Sequence, residues 1–185
     1  MASASDMRKG MAIKYNGAPC MVLDYIHKTP GNLRATVQAT LRNLASGKTS
    51  PVRFSSTESI EIIPLFRKKI EFSYKDPTGY TFIDPQTYES ITLNDELVGD
   101  AKNFLIENTP VELLLLDDKP VSIELPPTVT LKIIEAPPGV RGDTATNVTK
   151  PAKVETGITV GVPLFINAGE SVKVDTRTGA YISRA

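Results

Sequence analysis

Few side chains in this sequence could carry out chemistry. His27 is the only histidine and Cys20 the only cysteine, so a site built from these two types cannot supply the four ligands of a structural zinc. A nucleophile with a histidine base would have to use His27, which we expect on an exposed hairpin. Neither a G-x-x-x-x-G-K-[ST] phosphate loop nor a G-x-G-x-x-G fingerprint is present. We therefore predict no catalytic residues, no metal and no cofactor, while chemistry by carboxylates alone stays open.

Residues 29–34 form the stretch around which we expect the chain to be organised. Pro30-Gly31 is a turn dipeptide, because proline presets φ at the first turn position and glycine accepts positive φ. From Leu33 to Arg42 apolar and polar residues alternate, which predicts a strand with one buried face and a length of roughly 33 Å. We expect a hairpin with its tip here, part of it standing clear of its barrel. A hairpin without a special role would show the same pattern.

The elements that position this tip are short strands joined by tight turns. Asn16-Gly17 is a strong two-residue hairpin signal, and further strands are predicted at residues 52–54 and 60–63. Several short strands in about 60 residues indicate a small β-barrel. We place this first domain at residues 1–64.

The rest of the chain predicts two further barrels. Residues 65–127 show short strands and one helix, capped by Asn94 or Asp95, whose apolar residues have helical spacing; these are Leu97, Ala101, Phe104 and Leu105. Five strands with one inserted helix are typical of an OB-fold. Residues 128–185 repeat the pattern without the helix, with a loop at residues 137–151 and strands at 152–154, 158–162, 164–166 and 172–174. The predicted fold class is all-β, with three small barrels, of which the second and third are expected to pack together because each is small.

Net charge is unevenly distributed along the chain although it sums to zero. Residues 1–64 carry +4, residues 65–127 carry −6 and residues 128–185 carry +2. The basic ends suggest contact with a polyanion, and the acidic middle suggests a basic partner. Chance could give the same division of charge.

No apolar run approaches the roughly 20 residues of a membrane span, and residues 1–10 lack the apolar core of a secretory signal. We expect a cytoplasmic protein that makes no contact with a membrane.

Many spaced motifs resemble those of the bacterial elongation factor P family over nearly the whole chain. In the first two thirds they are residues 28–31 (KTPG), 72–74 (FSY) and 80–84 (YTFID). In the last third they are PGVRGDT at 138–144, KPA at 150–152, VPLF at 162–165 and VDTRTGAY at 174–181. The resemblance implies a KOW-type, Src-homology-3-like barrel followed by two OB-fold domains in an elongated, tRNA-like shape.

The resemblance also implies a function in translation. Members of this family bind the ribosome beside the peptidyl-tRNA, contact its acceptor end through the first-domain hairpin and relieve stalls at consecutive prolines. Proline is a poor reaction partner because its ring restricts the chain, and a factor that aligns the reacting ends lowers the entropic part of the barrier without acid, base or nucleophile. The expected partners are the ribosome, peptidyl-tRNA, exit-site mRNA and the large-subunit stalk protein. The protein is expected to be a monomer.

The resemblance assigns two groups of contact residues. The acceptor-end contacts are expected at the hairpin tip, in Lys28, Pro30, Gly31, Asn32 and Arg34. The exit-site mRNA contacts are expected in a loop that contains Arg141, Gly142, Asp143 and Thr144. Members of the family usually carry a modified lysine or arginine at the position of Asn32, so we predict that this tip works unmodified.

Two other functions are compatible with the sequence. A general single-stranded RNA-binding OB-fold protein would bind free RNA with a steep salt dependence, which a factor of zero net charge would not. An elongation factor P-like paralogue with narrower specificity is also consistent with the unusual tip.

Overall fold

The computed structural model describes residues 2–29, 31, 35–138 and 148–185. Strands dominate these ranges and form three sheets of six, five and five strands. Each sheet has its own cluster of buried apolar side chains. The all-β prediction is therefore confirmed.

The first sheet contains six strands. They are β1 (Ala2–Ser3), β2 (Ala12–Tyr15), β3 (Ala18–Lys28), β4 (Thr36–Asn43), β5 (Thr49–Ser55) and β6 (Ser59–Ile63). Their hydrogen-bonded order is β1-β6-β2-β3-β4-β5. The turn between β2 and β3 has positive φ at both Asn16 (51°) and Gly17 (80°), the signature of the two-residue hairpin that this pair of residues predicts.

The N-terminal residues close the first core. Ala4 and Met7 have no exposed surface, and Ala4 lies in a short 3-10 helix, Ala4–Asp6. In β4 the alternation predicted from sequence is confirmed, because Val37, Ala39 and Leu41 are each at most 2% exposed. No sequence pattern indicated the buried N-terminal segment, because two isolated apolar residues carry no periodicity.

The second sheet has five strands and one helical insertion. The strands are β7 (Phe66–Asp76), β8 (Gly79–Ile83), β9 (Ser90–Leu93), β10 (Pro110–Leu116) and β11 (Lys119–Glu124), in the order β11-β10-β7-β8-β9. The predicted helix is present but shorter than expected. Asn94 caps it through Oδ1, which accepts from the Leu97 N–H at 2.9 Å, and the α-helix α1 spans only Asp95–Val98. Gly99 has positive φ and forms the C-cap of α1, and the segment then continues as a 3-10 helix, Gly99–Phe104.

The third sheet repeats the strand order of the second. It consists of β12 (Thr128–Glu135), β13 (Thr149–Val154), β14 (Thr159–Pro163), β15 (Ser171–Asp175) and β16 (Tyr181–Arg184), in the order β14-β13-β12-β15-β16. Each of these two sheets has its first strand in chain order at the centre. In the second sheet β7 lies between β10 and β8, and in the third sheet β12 lies between β13 and β15. In the described part of the chain, each of the three sheets has two edge strands that do not pair with each other. Hydrogen-bonded pairing therefore does not close the predicted barrels.

Two predictions for the third domain were wrong. Residues 164–166 form a turn rather than a strand, in which the N–H of Ile166 donates to the carbonyl of Pro163 at 3.1 Å. The side chain of Ile166 is nevertheless fully buried in the core. The predicted loop also ends earlier, since β13 begins at Thr149. Pro151 is tolerated in this strand because the pairing of β13 with β12 starts only at Lys153, leaving one edge of the strand unpaired there.

The chain divides into two compact units, Met1–Phe66 and Arg67–Ala185. Within the second unit the two five-stranded sheets share contacts. Phe104, which follows β9, is 8% exposed and belongs to the apolar cluster of the third sheet. The hydroxyl of Thr176, which follows β15, donates to the carbonyl of Pro126 at 2.6 Å. Pro126 lies in the connection between the two sheets. The second and third sheets are therefore packed together, as their small size predicts.

Candidate functional site

The far end of the β3–β4 hairpin is the first site predicted from sequence. The ladder between these strands runs as far as the pair Lys28 and Thr36. On the other edge of β4, Thr36 also pairs with Ser55 of β5. Strand β4 is thus hydrogen-bonded on both sides up to the residue that faces Lys28. This support makes the hairpin a firm base for the segment beyond it.

The last residues of β3 are exposed on both faces of the sheet. Ile26, which pairs with Gln38, is 52% exposed, and His27 and Lys28 are exposed as well, although Val37 opposite His27 is 1% exposed. Whether part of the hairpin stands clear of its barrel stays a prediction, because residues 30 and 32–34 lie outside the described ranges. The two-sided pairing of β4 shows that the described part of that strand lies within the sheet.

Positive charge dominates the three strands that carry this end. Asp24 is the one acidic residue in β3, β4 and β5, and its Oδ1 accepts from the backbone N–H of Tyr25 at 2.9 Å. Arg53 lies beside Gln38, which pairs with Ile26. This arrangement offers cations and an exposed apolar side chain, which suits contact with a nucleic acid.

Arg8 supports the base of the hairpin from the N-terminal segment. Its guanidinium carbon lies 5.8 Å from the centre of the Tyr25 ring. Its Nη1 also donates to the carbonyls of Met7 at 2.7 Å and Ser5 at 3.2 Å. A cation over an aromatic face is attractive, so Arg8 links the buried N-terminal segment to β3. Sequence reasoning missed this contact, which joins residues far apart in the sequence.

Of the predicted tip residues, the structure describes Lys28 and Gly31, both exposed. A Cβ built on Gly31 would meet no atom within 4 Å. Pro30, Asn32 and Arg34 lie outside the described residues, and their assignment as contacts stays a prediction.

The second predicted site falls outside the described residues in full. Arg141, Gly142, Asp143 and Thr144 belong to the range 139–147. The strands before and after this range are adjacent in the third sheet, since Glu135 of β12 pairs with Lys153 of β13.

No group of three or more potential metal-ligating side chains occurs among the residues that the structure describes. Likewise, no helix in the described ranges is long and apolar enough to cross a membrane. Cys20 is buried, and burial raises the pKa of its thiol, which disfavours the reactive thiolate.

Family models match the chain in three consecutive segments. Residues 3–60 match the elongation factor P KOW-like domain, residues 65–123 the elongation factor P OB domain, and residues 129–184 the elongation factor P C-terminal domain. Relatives named elongation factor P match over the whole length. The protein from Symbiobacterium thermophilum is 43% identical over 185 residues, covering 100% of both chains.

The chain belongs to the elongation factor P family. Two further members support this assignment. The protein from Acidobacterium capsulatum is 46% identical and covers 98% of both chains. The protein from Roseiflexus sp. strain RS-1 is 44% identical, covering 100% of this chain and 99% of its own. The KOW-like and OB domain types and the role of a translation elongation factor are therefore shown.

Proposed function

We propose that this elongation factor P family member binds the ribosome beside the peptidyl-tRNA and promotes peptide-bond formation at consecutive prolines. The observation that carries the proposal is the supported end of the β3–β4 hairpin, with Lys28 exposed where the ladder ends. The residues that contact the tRNA acceptor end are Lys28, Pro30, Gly31, Asn32 and Arg34. The protein acts as a monomer in the cytoplasm.

The factor works by alignment rather than by supplying a reacting group. Among the described residues, the end of the hairpin presents cations and an aliphatic side chain. Its single carboxylate, that of Asp24, already accepts a hydrogen bond from the backbone N–H of Tyr25. Restricting the motion of two reacting groups can contribute several kcal/mol, of the order of 7 or more in the best cases. This mechanism needs a firm support for the tip, which the two-sided pairing of β4 supplies.

Two further contacts complete the proposal. The loop that contains Arg141, Gly142, Asp143 and Thr144 contacts exit-site mRNA, so replacing Asp143 and Thr144 by alanine weakens rescue without unfolding the protein. The acidic second domain faces the large-subunit stalk protein, since opposite charges favour association.

A peptide-bond-formation assay on Pro-Pro templates tests the central proposal. Wild-type protein should accelerate Pro-Pro formation, and Lys28→Ala should reduce that acceleration. Lys48→Ala is a matched control, because Lys48 is an exposed lysine in the same domain, in the turn between β4 and β5. No acceleration by the wild type, or equal loss in both variants, would refute positioning by the hairpin.

The state of Asn32 is tested separately. Asparagine has neither the amine of lysine nor the guanidinium of arginine, so we expect the tip to function without a modification. Mass spectrometry of the peptide spanning Asn32, from protein purified out of its native host, should give the unmodified mass. A covalent adduct on Asn32 would contradict this.

A further inference from the structure

Tyr88 combines a highly exposed ring with a left-handed backbone conformation. It lies in the loop between β8 and β9 and is 82% exposed, more than any other large apolar or aromatic side chain in the described ranges. Its backbone has φ of 60°, a left-handed conformation that a bulky side chain rarely adopts. Strained backbone tends to occur where a side chain has to be presented in one direction.

The loop around Tyr88 is held by hydrogen bonds at several points. The Tyr88 N–H donates to the carbonyl of Asp84 at 2.8 Å, and the Asp84 N–H donates to the carbonyl of Glu89 at 3.0 Å. The Asp84 carboxylate accepts from the N–H groups of Gln86 at 2.7 Å and Thr87 at 3.2 Å. The ring of Tyr88 is therefore carried on an ordered loop although it has solvent around it.

Lys68 fixes this loop to the sheet. Its Nζ lies 2.9 Å from Oδ2 of Asp84, whose side chain is only 8% exposed. The hydrogen bond from Lys68 holds the pKa of the Asp84 carboxyl well below its usual range, so the ion pair is present at neutral pH. Because Lys68 lies in β7, at the centre of the second sheet, the position of the loop is set by the core of the domain.

The charge around the ring favours a cationic partner. Glu89, the next residue, has a side chain that is 76% exposed, and its Oε2 lies 3.9 Å from Nζ of Lys68. Residues 65–127 contain twelve acidic and six basic side chains. An aromatic face beside a carboxylate attracts an arginine or lysine side chain, whereas the surrounding negative charge repels the phosphates of RNA.

We propose that Tyr88 is an anchor for a basic protein surface of the ribosome, with an arginine or lysine side chain stacked on its ring and Glu89 facing the same charge. This inference rests on the proposed function, because the ribosome supplies the partner. It assigns a defined residue to the contact between the acidic second domain and a basic ribosomal protein, and this residue is separate from both predicted RNA contacts. The backbone that carries the ring is already held by hydrogen bonds, so little backbone freedom is lost on binding.

The substitution Tyr88→Gly tests the anchor because stability and binding should change in opposite directions. Glycine accepts positive φ without strain, so the melting temperature should rise, by roughly 2–4 °C. Loss of the ring should weaken ribosome binding by about tenfold. A residue that only shaped the loop would not combine a more stable protein with weaker binding.

Two more variants serve as controls. Tyr88→Phe keeps an aromatic face and should bind ribosomes nearly as well as the wild type. Tyr74→Ala removes another exposed tyrosine of the same sheet, 53% exposed, and should leave ribosome affinity unchanged. Dissociation constants for purified ribosomes and for protein-free ribosomal RNA would be measured for each protein.

Each outcome decides a different point. Equal ribosome affinity of the wild type and Tyr88→Gly would overturn the anchor and leave the proposed function intact. A loss of affinity by Tyr88→Gly for protein-free RNA as large as its loss for ribosomes would identify RNA as the partner and overturn the basic protein surface. Failure of the wild type to bind ribosomes would overturn the proposed function, and the anchor with it.

Discussion

Replacing Gly79 by alanine should strongly destabilise the second unit. Gly79 begins β8 and has φ of 144°. A Cβ built at this position would lie 2.3 Å from the backbone oxygen of Leu93 and 3.1 Å from its carbonyl carbon. Both contacts are to backbone atoms of β9, so no rotation of a flexible side chain can relieve them.

Two terms give the expected magnitude. A non-glycine residue in such a sparsely populated backbone region costs about 1–3 kcal/mol. Forcing extra volume against a packed backbone costs about 1–3 kcal/mol more. We therefore expect Gly79→Ala to lower the free energy of unfolding by roughly 2–6 kcal/mol. To relieve the clash, β9 would have to move away from β8, which weakens the pairing of Leu93 with Tyr80.

Gly157→Ala is the matched control. Gly157 belongs to the same compact unit, has φ of 93°, and its Cβ would meet nothing within 4 Å. Only the backbone term applies there, so its cost should be about 1–2 kcal/mol. Urea denaturation followed by circular dichroism would compare the two variants. Equal losses, within about 0.5 kcal/mol, would refute the argument from the Leu93 contact.

Three other changes have expected outcomes. Phe104→Ala should cost about 3–5 kcal/mol and lower the hydrogen-exchange protection of the third sheet, although Phe104 lies in the segment that follows β9; unchanged protection there would contradict shared packing. Asp118→Gly, in the β10–β11 turn where Asp118 has φ of 63°, should stabilise the protein by about 0.5–1 kcal/mol in thermal or urea unfolding. Asp84 has a folded-state pKa below its ordinary value of 3.8, so its contribution is present above that pH and is lost as pH falls further. Asp84→Asn should therefore flatten the acid side of the stability profile, and an unchanged acid limb would argue against the Lys68 pair.

Local patterns predicted the elements of the fold well. The alternation in β4, the turn at Asn16-Gly17 and the cap at Asn94 each depend on residues close in the sequence, and each is present in the structure. The helix is shorter than its apolar spacing indicates: α1 ends at Val98, the segment continues as a 3-10 helix from Gly99, and Phe104 packs into the cluster of the third sheet. Apolar spacing shows that a side chain is buried but not which core receives it.

The errors and omissions involve contacts between distant parts of the chain. The strand predicted at Ile166 is wrong because buried turns and buried strands have the same apolar composition. The orientation of Tyr88 could not be anticipated, since its positive φ results from the hydrogen bonds of Asp84 and the ion pair with Lys68, a residue about twenty positions earlier in the chain. The turn signal Asp84-Pro85 predicts a loop at this position but not the backbone conformation of the aromatic residue that follows.

The support of the hairpin limits how the tip can act. Because β4 is paired with β5 as far as Thr36, the β3–β4 hairpin can move as a unit only by breaking the β4–β5 ladder hydrogen bonds. A tip on such a base can restrict the position of a bound acceptor end, whereas a tip on an isolated two-stranded ribbon would move with it. If alignment is the mechanism, weakening the base should reduce Pro-Pro rescue even when every tip residue is kept. Replacing the buried Val37 by alanine creates a cavity at the last core position of the hairpin and provides that test, with ribosome binding expected to persist while the rate of Pro-Pro bond formation falls. A rate equal to that of the wild type would show that stiffness of the base is not required.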